Sequence, residues 1–109
     1  MERYCLALDL KNDPRLIAEY DRYHQSVWPE ILQSLRDSGI TRMEIYRTGN
    51  RLFLIMEGNE NFSLEKKAVM DGANPKVQDW EQLMWKYQQA LPWAVKGQKW
   101  VRMEKVFEL

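Results

Sequence analysis

The sequence predicts an α+β fold, a ferredoxin-like β-α-β-β-α-β sandwich, and three observations carry that expectation. Apolar residues alternate or run together over short stretches at 3–10, 40–48 and 51–57, the period of half-buried or fully buried strands. Two pairs, Asp13-Pro14 and Asn74-Pro75, each place a capping side chain before a proline at the head of a helix-period segment. Gly49-Asn50 joins the two middle stretches directly, as in a tight hairpin. A chain of 109 residues is sized for one hydrophobic core, so residues 1–109 are expected to form a single domain.

Each element has its own punctuation. The first strand runs from Arg3 to Leu10 and ends at Lys11-Asn12. The helix opened by Asp13-Pro14 carries Leu16, Ile17, Tyr20 and His24 and meets Trp28-Pro29-Glu30, where proline removes a donor and disfavours helical geometry in the residue before it. A kink or break is expected there, with a second helical piece through Ile31, Leu32 and Leu35 closed by Gly39. Strands 40–48 and 51–57 follow, and the apolar run Leu52-Phe53-Leu54-Ile55-Met56 predicts cover on both faces. A shorter helix is expected from Ser63 to Met70. The last helix runs from Asn74-Pro75 to Leu91-Pro92 with Trp80, Met84 and Tyr87 at helical spacing, and Trp100 to Phe107 forms the final strand. Helices on one side leave the other face of the sheet to be covered, and its apolar run points to a second copy of the chain. Two sheets packed face to face would enclose a space for a small molecule.

Composition excludes several classes. Sixteen basic and sixteen acidic residues cancel and are scattered, so no electrostatic footprint for nucleic acid exists. No apolar stretch approaches membrane-spanning length, and the N-terminus lacks a signal-peptide apolar region, so a cytoplasmic protein is expected. One cysteine, Cys5, and one histidine do not make a zinc site at ordinary ligand spacing; Cys5 is expected to be a buried, inert thiol. No glycine-rich, lysine-bearing loop marks a nucleotide site, and Glu65-Lys66-Lys67 is expected to be a solvated helix face.

The chemistry-bearing segment is Tyr20-Asp-Arg-Tyr-His24-Gln-Ser-Val-Trp28-Pro-Glu30. Residues four apart share a helix face, so Tyr20 and His24 can meet one small ligand together. Histidine titrates near neutral pH when unperturbed, which suits it to proton transfer on a neutral substrate.

Tyr20-x-x-x-His24-x-x-Val27-Trp28-Pro29-Glu30, with Leu52-Phe53-x-x-Met56-Glu57, Val77-Gln78-x-Trp80 and Val106-Phe107-x-Leu109, resembles the L-rhamnose mutarotase family along nearly the whole chain. The resemblance implies a dimeric α/β barrel of ferredoxin-like subunits and a cofactor-free isomerase that interconverts the anomers of a 6-deoxy-sugar. It implies a proton-donor role for the catalytic His24 and a sugar contact for Tyr20. It also marks two departures. Met43 stands where the family's rhamnose enzymes place a substrate-contacting tyrosine, with Tyr46 on a separate family tyrosine. Trp80 keeps the first of two adjacent tryptophans while Glu81 replaces the second. These changes preserve the catalytic helix and leave L-rhamnose, L-fucose or another 6-deoxyhexose as substrate.

Anomer exchange needs only proton movement: the ring oxygen gains a proton, the anomeric hydroxyl loses one, the aldehyde end rotates, and the ring closes from the other face. Positioned acid and base groups supply on the order of 10² to 10⁴ each in such steps. Tyr20, Glu81 or a water are the candidate bases. A pyranose also needs an apolar wall, for which Trp80 is suited, and partners for its hydroxyls, for which Tyr20 is suited. Met84 and Tyr87 are expected in the core, and Trp93 and Trp100 in packing or dimer contacts. Two rival classes are a dimeric α/β barrel monooxygenase or haem-degrading protein, in which a lone helical histidine would bind iron, and a non-catalytic sugar-binding dimer.

Overall fold

The computed structural model describes residues 2–109. The elements, in chain order, are β1 (Glu2–Leu10), α1 (Pro14–Tyr23), α2 (Pro29–Asp37), β2 (Ile40–Thr48), β3 (Arg51–Gly58), α3 (Leu64–Gly72), α4 (Pro75–Trp85), β4 (Gln88–Gln89) and β5 (Val101–Arg102). The sheet is antiparallel with order β2-β3-β1-β4, and β5 also pairs with β1. This is the ferredoxin-like arrangement expected from the sequence.

Local chemistry explains the helix starts. Asp13 accepts from the backbone N–H of Arg15 and Leu16, and Asn74 from Lys76 and Val77, each followed by proline at the first helical position. Ser63 caps α3 through Lys66 N–H. α1 ends at Tyr23 with His24 as its C-cap, and after residues 24–28 Pro29 opens α2 at its first helical position, with Trp28 as N-cap. At the end of α2, Gly39 has φ +100°, and a Cβ there would come within 2.6 Å of Asn59 Oδ1, so glycine is required for the chain to enter β2. Gly49-Asn50 makes the tight β2–β3 connection.

Strand alternation decides the layers. Tyr4, Leu6, Leu8 and Leu10 of β1 and Leu52, Leu54 and Met56 of β3 are buried on one face: Leu8, Leu10 and Leu52 pack with Ile31, Val77, Trp80, Met84 and Tyr87, while Tyr4, Leu6, Leu54 and Met56 form a second cluster with Ile40. Met84 and Tyr87 are core residues, as the sequence predicts. The opposite face carries Cys5, Ala7, Phe53 and Ile55, all half-buried in the single chain. The expected cover on both sides of β3 is therefore complete on one side only, and Cys5 is a half-buried thiol on the open face.

Two boundaries differ from the sequence-based expectation. α4 stops at Trp85 instead of reaching Leu91, because Gln88 and Gln89 join the edge of β1 opposite Leu10 and Asp9. The final strand is short. Val101 and Arg102 pair with Ala7 and Leu6, Met103 N–H donates to the Cys5 carbonyl, and residues 104–109 then leave the sheet with Val106, Phe107 and Leu109 exposed. None of the helices among the described residues is long and apolar enough to cross a membrane.

Candidate active site

A cavity of about 660 Å³ lies between the helices and the covered face of the sheet, within the size range of small-molecule sites. This space belongs to one chain's helix–sheet layer, whereas the sequence-based expectation concerns a space between two sheets. The strands give it an apolar floor of Leu6, Met43, Ile45, Leu54 and Met56. Polar groups come from the helices, β4 and the loop before β5: Tyr20, His24, Glu81, Gln88 and Lys99. Trp80 and Trp100 supply aromatic walls.

His24 sits at the C-cap of α1, and its ring lies 4.3 Å from that of Tyr20, centroid to centroid, one turn earlier. The Trp80 ring stands edge-on to His24 at 5.7 Å and to Trp28 at 5.1 Å. His24 Nδ1 is 2.9 Å from the Tyr20 carbonyl oxygen. A carbonyl oxygen only accepts, so Nδ1 carries the hydrogen, and in the neutral ring Nε2 keeps its lone pair. As imidazolium the same Nε2 donates. One nitrogen can therefore take up a proton and return it.

Tyr20 is 3% exposed, and burial pushes its phenol up to about 12, against a smaller opposing effect from a hydrogen bond with the Gln88 side chain. At neutral pH it is protonated and can serve a ligand as a hydrogen-bond donor. Glu81 Oε2 pairs with Lys99 Nζ at 2.6 Å, and Lys99 also donates to the Glu81 backbone carbonyl and lies 4.8 Å above the Trp85 ring centre. Burial pushes Lys99 below the ordinary lysine range, with the Glu81 carboxylate opposing that shift.

Five of the six residues singled out from the sequence share this cavity: Tyr20, His24, Met43, Trp80 and Glu81. Tyr46 does not. It lies three positions beyond Met43 on one strand, and strand period two turns it to the open face, where it is 54% exposed and donates to Glu44 at 3.1 Å. Gln88 and Lys99 are cavity residues that the sequence did not mark, and Trp100, expected in packing or dimer contacts, packs against the core and also lines the cavity. Lys67 also differs from expectation: it is no solvated residue but faces the cavity and pairs with Asp71 one turn on, at 2.5 Å.

The model of the family described as L-rhamnose mutarotase matches residues 3–109. The chain belongs to the L-rhamnose mutarotase family. It is accordingly a sugar mutarotase, an isomerase acting on carbohydrates. An L-fucose mutarotase of Xanthomonas campestris pv. campestris is 43% identical over 111 residues, covering 100% of this chain and 89% of that protein. An L-rhamnose mutarotase of Phocaeicola vulgatus is 33% identical over 82 residues, 73% of each chain. The crystal structure of an L-rhamnose mutarotase from Formosa agariphila superposes with a TM-score of 0.74 at 22% identity, covering 100% of this chain and 99% of that one, a likeness of fold.

Proposed function

We propose that this mutarotase acts on a 6-deoxyhexose, L-fucose ahead of L-rhamnose, with His24 moving the proton. The observation that carries the reading is the single bare nitrogen of His24 in a cavity with a buried phenol and an indole wall. As imidazolium, His24 Nε2 gives its proton to the ring oxygen, and the bond between that oxygen and the anomeric carbon breaks. The anomeric hydroxyl gives a proton back to the freed Nε2, leaving the aldehyde, which rotates before the ring closes from its other face by the reverse transfers. Both sugar oxygens sit on one carbon, so one nitrogen reaches both. Tyr20 binds as a donor, its high pKa arguing against the base role, and Trp80 takes the apolar face of the ring. Met43 and Glu81 form the wall that reads the hydroxyl pattern. Preference for L-fucose is supported by the match to the Xanthomonas protein along all of this chain.

The test is exchange NMR on L-fucose and L-rhamnose with the parent and His24→Ala. The variant should lose on the order of 10² to 10⁴ in exchange rate with its fold intact. A folded variant near the parental rate removes His24 from the chemistry.

We also infer that two copies pack through the open sheet face. The apolar residues Ala7, Phe53 and Met103 line a hollow of about 390 Å³ there, and the exposed Val106, Phe107 and Leu109 follow in the segment after β5. Sedimentation at micromolar concentration should give a dimer, and a stable monomer would end this reading. The balanced charge and the single unpaired Cys5 are in keeping with a cytoplasmic setting.

A further inference from the structure

Gln88 is a buried polar residue at the cavity whose hydrogen-bonding capacity is only partly used. It is 4% exposed and pairs with Leu10 across the β1–β4 ladder, which turns its side chain to the same covered face of the sheet. Its amide neighbours the Tyr20 phenol, where it opposes the rise that burial causes. Its Oε1 has no partner, and among the described residues it is the one buried side-chain oxygen or nitrogen in that condition. An amide carbonyl held out of water without a donor is unfavourable, and native folds keep such a group where something else completes it.

The protonated Tyr20 phenol carries a hydrogen to donate, and the unpartnered Gln88 Oε1 can only accept. An acceptor and a donor then stand side by side on the cavity wall, next to His24. A secondary hydroxyl, which both donates and accepts, or a pair of adjacent hydroxyls, satisfies both at once.

We propose that Gln88 is a sugar-binding and positioning residue: Oε1 accepts from a ring hydroxyl, and Nε2–H holds Tyr20 so that its hydroxyl proton is directed at the same sugar. This rests on the mutarotase reading and names a specificity residue within it. Because a site that hydrogen-bonds one hydroxyl rejects the analogue lacking it, the signature is discrimination and not affinity alone.

The experiment uses the full chain with Gln88→Met, which removes both amide atoms at similar volume, and Gln88→Glu, which keeps an acceptor and loses the donor. Saturation-transfer NMR gives affinities for L-fucose, L-rhamnose and their ring-monodeoxy analogues, and anomer exchange is followed on the same samples. The parent should bind one monodeoxy analogue on the order of ten- to a hundredfold more weakly than the complete sugar. Gln88→Met should bring that one ratio close to unity and leave the other ratios alone. Gln88→Glu should retain the ratio yet slow exchange, through Tyr20. Uniform weakening across the panel, the mark of a packing role, or unchanged ratios in folded Gln88→Met, would overturn the proposal. Should Gln88→Met not fold, a lost ratio in Gln88→Glu overturns it and a retained ratio with slowed exchange supports it. A parent that discriminates in binding but does not exchange anomers removes the mutarotase reading and leaves Gln88 standing; one that binds no sugar of the panel removes both.

Discussion

The face of the sheet beneath the helices and the face turned away from them are built from alternate residues of the same strands, yet their polar groups come from different places. On the covered face the strands contribute only an apolar floor, while Tyr20, His24, Glu81, Gln88 and Lys99 descend from helices, a strand edge and a loop. On the open face the strands supply their own charges at the perimeter. Asp9 pairs with Arg51 at 2.7 Å, Glu57 with Arg3 at 3.4 Å and Glu44 with Arg42 at 3.3 Å, around Ala7, Phe53 and Ile55. Side chains on one strand face stand parallel and cannot converge, so a site that must surround a sugar borrows its chemistry from elements above the sheet. An apolar centre with a charged rim is the anatomy of a surface that meets another protein.

The largest effect that separates the two faces is in packing. Leu8 is fully buried on the covered face, and Leu8→Ala should cost about 2–5 kcal/mol in chemical denaturation. Ile55→Ala, half-buried on the open face, should cost well under half of that at a dilution where any dimer has dissociated. Equal losses would mean that the open face is as tightly packed within one chain as the covered one.

A second difference is electrostatic. The Tyr20 phenol is raised from 10.0 to about 12 by burial, so the folded state holds its proton more tightly than the unfolded chain. Stability from this group is complete below about pH 10 and falls as pH rises to about 12, by roughly 2–3 kcal/mol in all. Denaturation followed from pH 8 to pH 12 should show that decline, and Tyr20→Phe should make it shallower, leaving the part due to Tyr4 and Tyr87, which are also raised. A parental profile as flat as that of the variant would show that the phenol is not desolvated.

The smallest effect concerns the specificity wall. Glu81 cannot be replaced alone without leaving Lys99, whose side chain is 12% exposed, without its carboxylate. Met43→Tyr with Glu81→Trp and Lys99→Met should shift the activity ratio toward L-rhamnose over L-fucose, by about tenfold if one hydroxyl contact is exchanged. Assays on both sugars beside the parent decide it, and an unchanged ratio with both activities retained places the wall elsewhere.

Much of this was legible in residue spacing. Tyr20 and His24 meet because four residues make about one helical turn, and Trp80 followed by Glu81 opens on the same space because α4 begins where Asn74-Pro75 dictates. Tyr46 falls on a family position, yet strand alternation sends it to the face opposite Met43 and outside this cavity. Gln88 was hidden inside a segment that reads as helix through Leu91. Its role depends on pairing with Leu10, 78 residues earlier in the chain, which local periodicity does not register.

The sequence by itself determined the order of the main strands and helices, their capped starts, the tight hairpin and the meeting of Tyr20 with His24 at the end of α1, because each is set by interactions within about one turn of the chain. Tertiary structure decided where α4 stops, which face of β2 meets the cavity, that the cavity lies beneath the helices, and that Gln88 and Lys99 join it. Those outcomes come from contacts between segments far apart in sequence: a strand edge recruiting Gln88 and Gln89, and a loop folding back to seat Lys99 against Glu81. Their free energies depend on burial and pairing that exist only once the layers have packed.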